Sequence, residues 1–128
     1  MEIPFKKKYK LHDRINECNA IKKRHPDKIP IILTKNGSSN INDIKQEKFL
    51  IFDTLTIAQF MYIIRKRINL KESDAINIFI STLDGTEVLP ATSSSLMSIY
   101  NEYVESMKNH KNYDGFLYII YSGENVFG

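Results

Sequence analysis

The sequence predicts one α+β domain in its 128 residues. Three observations carry that expectation. Apolar spacing begins with a helical period and then switches repeatedly between strand and helix. Ser/Thr caps open two of the helical stretches. The closing run GFLYIIYS is too continuous to have a solvated face, which makes it a central strand.

Residues 4–25 read as helix in two pieces. Pro4 suits a helix start. Leu11, Ile15, Cys18 and Ile21 form one apolar stripe at helical spacing. His25 precedes Pro26, which disfavours helix at His25 and stops it. KIPIILTK is short and β-branched, and Asn36-Gly37 follows it with strong turn character. EKFLIF is a second strand, so the two form a hairpin with a long loop over residues 36–46. Thr56-Ile57-Ala58-Gln59 has the form of a capping box and opens a helix with Ile57, Phe60, Ile64 and Ile68 on one face. AINIFIS is a third strand, Asp84-Gly85 turns the chain, and EVL adds a short fourth. A capped helix starts near Ser95, with Leu96, Ile99, Tyr100, Tyr103 and Met107 at helical spacing. A hairpin, a crossing helix and a last strand placed mid-sheet describe a ubiquitin-like β-grasp. The two additional N-terminal helices are appended to it. The expected division is a helical extension over residues 1–27, packed on a core at 28–122, and a flexible tail at 123–128.

Cys18 is the only cysteine, so no internal disulfide forms, which suits a reducing, cytoplasmic setting. No apolar run approaches the roughly 18 residues that span a bilayer, and the opening MEIPFKKKYK lacks the apolar stretch of a secretory signal. The formal charge of +3 conceals an asymmetry: residues 1–71 carry 16 Lys/Arg and 7 Asp/Glu, residues 72–128 carry 2 and 8. A basic half implies either an anionic partner or a solvated basic face.

IKKRHPDKIPIIL, KFLIFDTLTIAQFMYIIRKRINL and FLYIIYSGENVFG together resemble the autophagy-related protein 8 family of ubiquitin-like modifiers, which includes the GABARAP and light-chain-3 proteins. The resemblance implies attachment through Gly128 to phosphatidylethanolamine on autophagic membranes. It implies no enzymatic activity and no bound cofactor other than that covalent lipid. The implied partners are ubiquitin-like activating and conjugating enzymes, a deconjugating cysteine protease, membrane lipid, and adaptors or cargo receptors. The implied location is the cytoplasm, and the membrane of autophagosomes or related vesicles once lipidated. The chemistry is acyl transfer from the Gly128 carboxyl to a partner's cysteine and then to an amine. A Cβ at that position would crowd the attack. Relatives often carry residues beyond this glycine; here the sequence closes on Phe127-Gly128.

The resemblance also implies docking of aromatic-x-x-aliphatic peptides along Lys48–Phe52 by strand addition. It assigns Glu17, Ile21, Pro30, Ile32, Lys48, Leu50 and Phe116 to an aromatic-accepting pocket. It assigns Phe49, Ile51, Phe52, Leu55, Phe60 and Ile63 to an aliphatic pocket, with Lys28 and Arg67 as a charged rim. Each apolar member serves equally well as plain core. Phe52 stands where relatives usually have proline, and Gln46 where lysine is common. The segments STLDGTEVLPATSSS and VESMKNHKNYDG are longer than the family norm, the second expected to follow the last helix.

Other chemistry finds little support. His12, His25 and His110 have no metal-ligand spacing with Cys18, and the glycines form no phosphate loop. Asp43 and Glu47 share a loop without a histidine for acid-base work. The basic runs IKKR and RKR lack interleaved aromatics, so nucleic acid is not an expected partner. Ile3 and Phe5, beside Lys6 to Lys8, fit an anionic membrane, or packing onto the core through Phe5 and Tyr9. A rival reading keeps the docking face but no conjugation: a peptide-binding or cytoskeleton-associated module.

Overall fold

The computed structural model describes residues 2–123. The order is α1 (Pro4–Lys8), α2 (Leu11–Arg24), β1 (Lys28–Lys35), β2 (Lys48–Phe52), α3 (Ile57–Arg67), β3 (Ile76–Ser81), β4 (Glu87–Val88), α4 (Leu96–Met107) and β5 (Leu117–Gly123). The five strands form one mixed sheet in the order β2-β1-β5-β3-β4. β1 and β5 run parallel at its centre, and the other neighbours pair antiparallel. The expected ubiquitin-like α+β architecture is present, with β5 in the middle as its apolar run required.

Alternation along the strands sorts side chains onto two faces. Ile29, Ile31, Leu33, Phe49, Ile76, Ile78, Ile80, Leu117, Ile119 and Tyr121 point to one face and form the main core with α3 and α4. The α3 stripe of Ile57, Phe60, Ile64 and Ile68 is buried as its period predicts, and so is the α4 stripe from Leu96 to Met107. Both parts of the Thr56–Gln59 capping box form, and Ser95 caps α4 by accepting from the Ser98 amide. The opposite face is covered by the N-terminal helices. There Ile3, Phe5 and Cys18 pack on Ile32, Phe116 and Tyr118. Ile3 and Phe5 are thus spent on the core rather than on a membrane surface, whereas Tyr9 remains largely exposed.

A polar clamp holds this second layer. Arg14 Nε donates to Asp114 Oδ2 at 2.8 Å and its Nη1 to the Tyr9 carbonyl at 2.7 Å. Asp114 also accepts from the Phe116 amide at 2.9 Å and from the Tyr118 hydroxyl. Both partners are buried, so each charge depends on the other for solvation. Gly115 follows with φ +95, and a Cβ there would stand 2.8 Å from Cys18 Sγ. That backbone turn brings α2 and β5 into contact only because glycine occupies it.

Two boundaries differ from the expectation. α4 extends to Met107, so residues 104–107 are helical and the longer segment lies partly within the helix. Gly123, expected to begin the tail, is the last residue of β5. It pairs with Ile76, and its amide donates to Ser39 Oγ at 3.0 Å.

Candidate functional site

The strand expected to dock peptides, β2, is positioned by the β1–β2 hairpin. Register pairs Pro30 with Leu50 and Ile32 with Lys48, so these four share the face covered by α2. Ile29 opposes Ile51, and Ile31 opposes Phe49, on the α3 face. β2 is the terminal strand of the sheet. The Leu33 amide donates to the Glu47 carbonyl at 2.7 Å. Hydrogen-bonded pairs alternate in an antiparallel ladder. The main-chain groups of Phe49 and Ile51 therefore turn inward to β1, and those of Lys48 and Leu50 turn outward. An exposed pair of N–H and C=O groups with side-chain sites on both faces is what strand addition needs.

On the α2 side, Glu17 forms an ion pair with Lys48. Burial pulls the Lys48 pKa below the usual lysine range. Ile21 is half-buried against the smaller core, and Leu50 is half-buried on the strand. Pro30, Ile32 and Phe116 are buried. Phe5 lies over Phe116, edge to face, with ring centroids 5.3 Å apart, and the Lys48 ammonium is 5.9 Å from the Phe5 centroid. The expected aromatic-pocket residues are therefore gathered in one place, but Ile32 and Phe116 are covered. An aromatic side chain reaching Phe116 has to displace Phe5.

On the α3 side, Phe49 and Phe60 meet edge to face at 5.8 Å, both buried. Ile51, Leu55 and Ile63 border the same cluster, half-buried. Phe52, expected in the same pocket, is not gathered with that cluster: it ends β2 opposite Lys28, 51% exposed, with the Lys28 ammonium 4.8 Å from its ring centroid. Lys28 thus reaches an aromatic face here rather than a carboxylate. Arg67 lies 5.8 Å from the Phe49 ring and donates to Gln46 Oε1. Gln46 Nε2 in turn donates to the Lys48 carbonyl at 2.8 Å.

Three contributors escaped the sequence reading. The sequence assigns Phe5 to the core or a membrane, not to the pocket; nothing in its local spacing points to β2. Gln46 reads in the sequence only as a replacement for a common lysine, yet its amide occupies an outward carbonyl of β2. Arg14 had a readable signal: it lies four residues before Cys18 and so shares the apolar stripe. Of the set-aside loop acids, Asp43 pairs with Lys35 at 3.0 Å and Glu47 with Lys8 at 2.6 Å. Cys18 is buried, and desolvation pushes its thiol up to about 12, which keeps it protonated and unreactive. Among the described residues no three His, Cys, Asp or Glu side chains converge as metal ligands do, and no helix is long and apolar enough to cross a membrane. Gly128, the expected conjugation residue, lies outside the described residues.

Comparison with known proteins agrees with this geometry. The family model "Autophagy protein Atg8 ubiquitin like" matches residues 13–128. Autophagy-related protein 8 of Schizosaccharomyces pombe is 43% identical over 128 residues, covering 100% of this chain and 96% of that protein. Autophagy-related protein 8a of Arabidopsis thaliana is 41% identical over 124 residues, covering 97% and 92%. The crystal structure of Trypanosoma brucei ATG8 superposes with a TM-score of 0.79 at 34% identity, covering 100% of both chains. A sheet edge open for strand addition, two flanking helices and these matches lead to one statement: the chain belongs to the Atg8 family of ubiquitin-like autophagy proteins.

Proposed function

We propose that this protein is a lipid-conjugated modifier that carries adaptors to autophagic membranes. The Gly128 carboxyl would be activated, passed as a thioester to a partner's cysteine, and transferred to the amine of phosphatidylethanolamine. The support for this step is family membership, with the family match running through residue 128. The catalytic cysteines belong to the activating and conjugating enzymes and to the protease that reverses the linkage. Cys18 takes no part, since its thiol is buried and held protonated.

The single observation that carries the recruiting half is the open edge of β2, with Lys48 and Leu50 facing outward between two apolar sites. An extended peptide pairs with these two residues. Its aromatic side chain enters beside Glu17, Ile21, Pro30, Leu50 and the Phe5-covered pair Ile32 and Phe116. Its aliphatic side chain, three residues on, falls on the other flank beside Ile51, Leu55 and Ile63, over Phe49 and Phe60. Phe52 borders that flank. Acidic residues near the peptide meet Lys28, Lys48 and Arg67, which raises the association rate more than the affinity.

Gly128→Ala, expressed in starved cells, tests the conjugation half. The expected result is loss of the membrane-bound fraction and of a lipid adduct by mass spectrometry. Membrane recovery equal to wild type refutes it and leaves the non-conjugated docking module. Leu50→Ala tests the other half separately, through the affinity for an aromatic-x-x-aliphatic peptide in solution.

A further inference from the structure

The central strand β5 outruns one of its neighbours. β1 stops at Lys35, and the Asn36 amide donates to the Tyr121 carbonyl at 2.8 Å just past that end. In a continuing parallel ladder the Asn36 carbonyl would accept the Gly123 amide next. Here the chain turns away, and that carbonyl accepts from the Ser39 amide at 3.0 Å instead. Gly123 is left at a strand end with the most backbone freedom of any residue type, where fraying is easiest.

Ser39 supplies the missing acceptor. Its Oγ accepts from the Gly123 amide at 3.0 Å and from the Ile41 amide at 3.3 Å, which uses both lone pairs. The loop that carries it is itself tied down. Ile41 is buried in the main core, the Tyr121 hydroxyl donates to the Asn42 carbonyl at 3.0 Å, and Asn42 Nδ2 donates to the Ile68 carbonyl at 2.9 Å. The loop also lies directly on the bare backbone of the strand end: a Cβ on Gly123 would stand 3.3 Å from Ile41 Cβ. The adjacent Ser38 turns elsewhere, its amide and hydroxyl both donating to Asn36 Oδ1.

We propose that Ser39 is a positioning residue for conjugation: its hydroxyl fastens Gly123 and so fixes the point from which the segment bearing Gly128 departs. This rests on the conjugation reading above. Residues 124–128 follow the fastening, and five residues span at most about 18 Å. A short tether rooted at a fixed point presents its end at a higher effective concentration than one whose root is also free. The Gly128 carboxylate attacks ATP with release of pyrophosphate, and the enzyme's thiolate then displaces AMP. Ser39 touches neither bond; it governs where the carboxylate can be delivered.

The test reads the fastening and the chemistry separately, on the full chain as wild type, Ser39→Ala, Ser39→Thr and Ser38→Ala. Amide hydrogen exchange followed by NMR should quicken at Gly123 by at least about tenfold in Ser39→Ala, with Ile119 and Tyr121 unchanged. Thioester formation with the purified activating enzyme and ATP should show KM raised at least about threefold at unchanged kcat, because the fastening acts on delivery and not on the bond made. Ser39→Thr keeps the hydroxyl and should restore both readings, and Ser38→Ala should leave both at wild type. Unchanged exchange at Gly123 in Ser39→Ala overturns the inference, and so does faster exchange with a wild-type KM. A wild-type chain that forms no thioester removes the conjugation reading and this role together.

Discussion

The side-chain amide of Gln46 donates to the main-chain carbonyl of Lys48 at 2.8 Å, on the outward edge of β2. The strand proposed to accept a peptide is therefore already partly satisfied by its own chain. Arg67 holds the other end of the same amide. A peptide must break this contact to pair with Lys48. A net hydrogen bond is worth about 0.5–1.5 kcal/mol. Gln46→Ala should therefore tighten peptide binding by roughly two- to tenfold by calorimetry; unchanged or weaker binding counts against a competing role for Gln46.

Arg14 and Asp114 should be inseparable energetically. Removing one leaves the other buried and uncompensated, a loss of about 3–5 kcal/mol. Arg14→Met should lower stability by that order in urea denaturation. Arg14→Met with Asp114→Asn should recover part of it, because the lone buried charge is gone. Additive losses in the double variant would show that the two residues contribute independently.

Gly115→Ala should be costly on two counts. Its φ of +95 disfavours a side chain, and the new Cβ meets Cys18 Sγ at 2.8 Å. The backbone part alone is about 1–2 kcal/mol. Cys18→Ala in the same chain should relieve the collision but not the backbone part. A double-mutant cycle on unfolding free energy separates the two; zero coupling would mean the contact is not felt.

Stability should fall as the solution becomes alkaline. Desolvation raises the Cys18 thiol from 9.0 to about 12. It likewise raises the Tyr121 hydroxyl from 10.0 to about 12, and those of Tyr100, Tyr103 and Tyr118 further still. The folded state holds these protons after the unfolded chain has released them. For Cys18 the contribution is complete below about pH 9 and is lost as pH rises towards about 12. Urea midpoints across that window should decline, and less steeply in Cys18→Ala. Native Cys18 should also resist alkylation at neutral pH and react once the chain is unfolded.

Periodicity carried the reading furthest where one interaction dominates. The α3 and α4 faces, the capping box and the central position of β5 each follow from local rules that tertiary packing reinforces. The pairing of KIPIILTK with KFLIF was legible because both bury the same alternate positions. What escaped depends on long-range approach. Arg14 meets Asp114 across a hundred positions of chain, and Phe5 meets Phe116 across more. Charge on an apolar stripe reads as a surface residue until its partner is known. The Gln46 contact was hidden because strand pairing had first to determine which carbonyls of β2 point outward.

The placement of β5 between β1 and β3 has a consequence for biosynthesis. Residues 117–123 supply neighbours to strands made long before them. A nascent chain lacking that segment has two separate antiparallel pairs, β1–β2 and β3–β4, with no common seam. The sheet can close only once residues 117–123 are free to pair, so until then the apolar flanks of both pairs lack the neighbours that cover them in the finished fold.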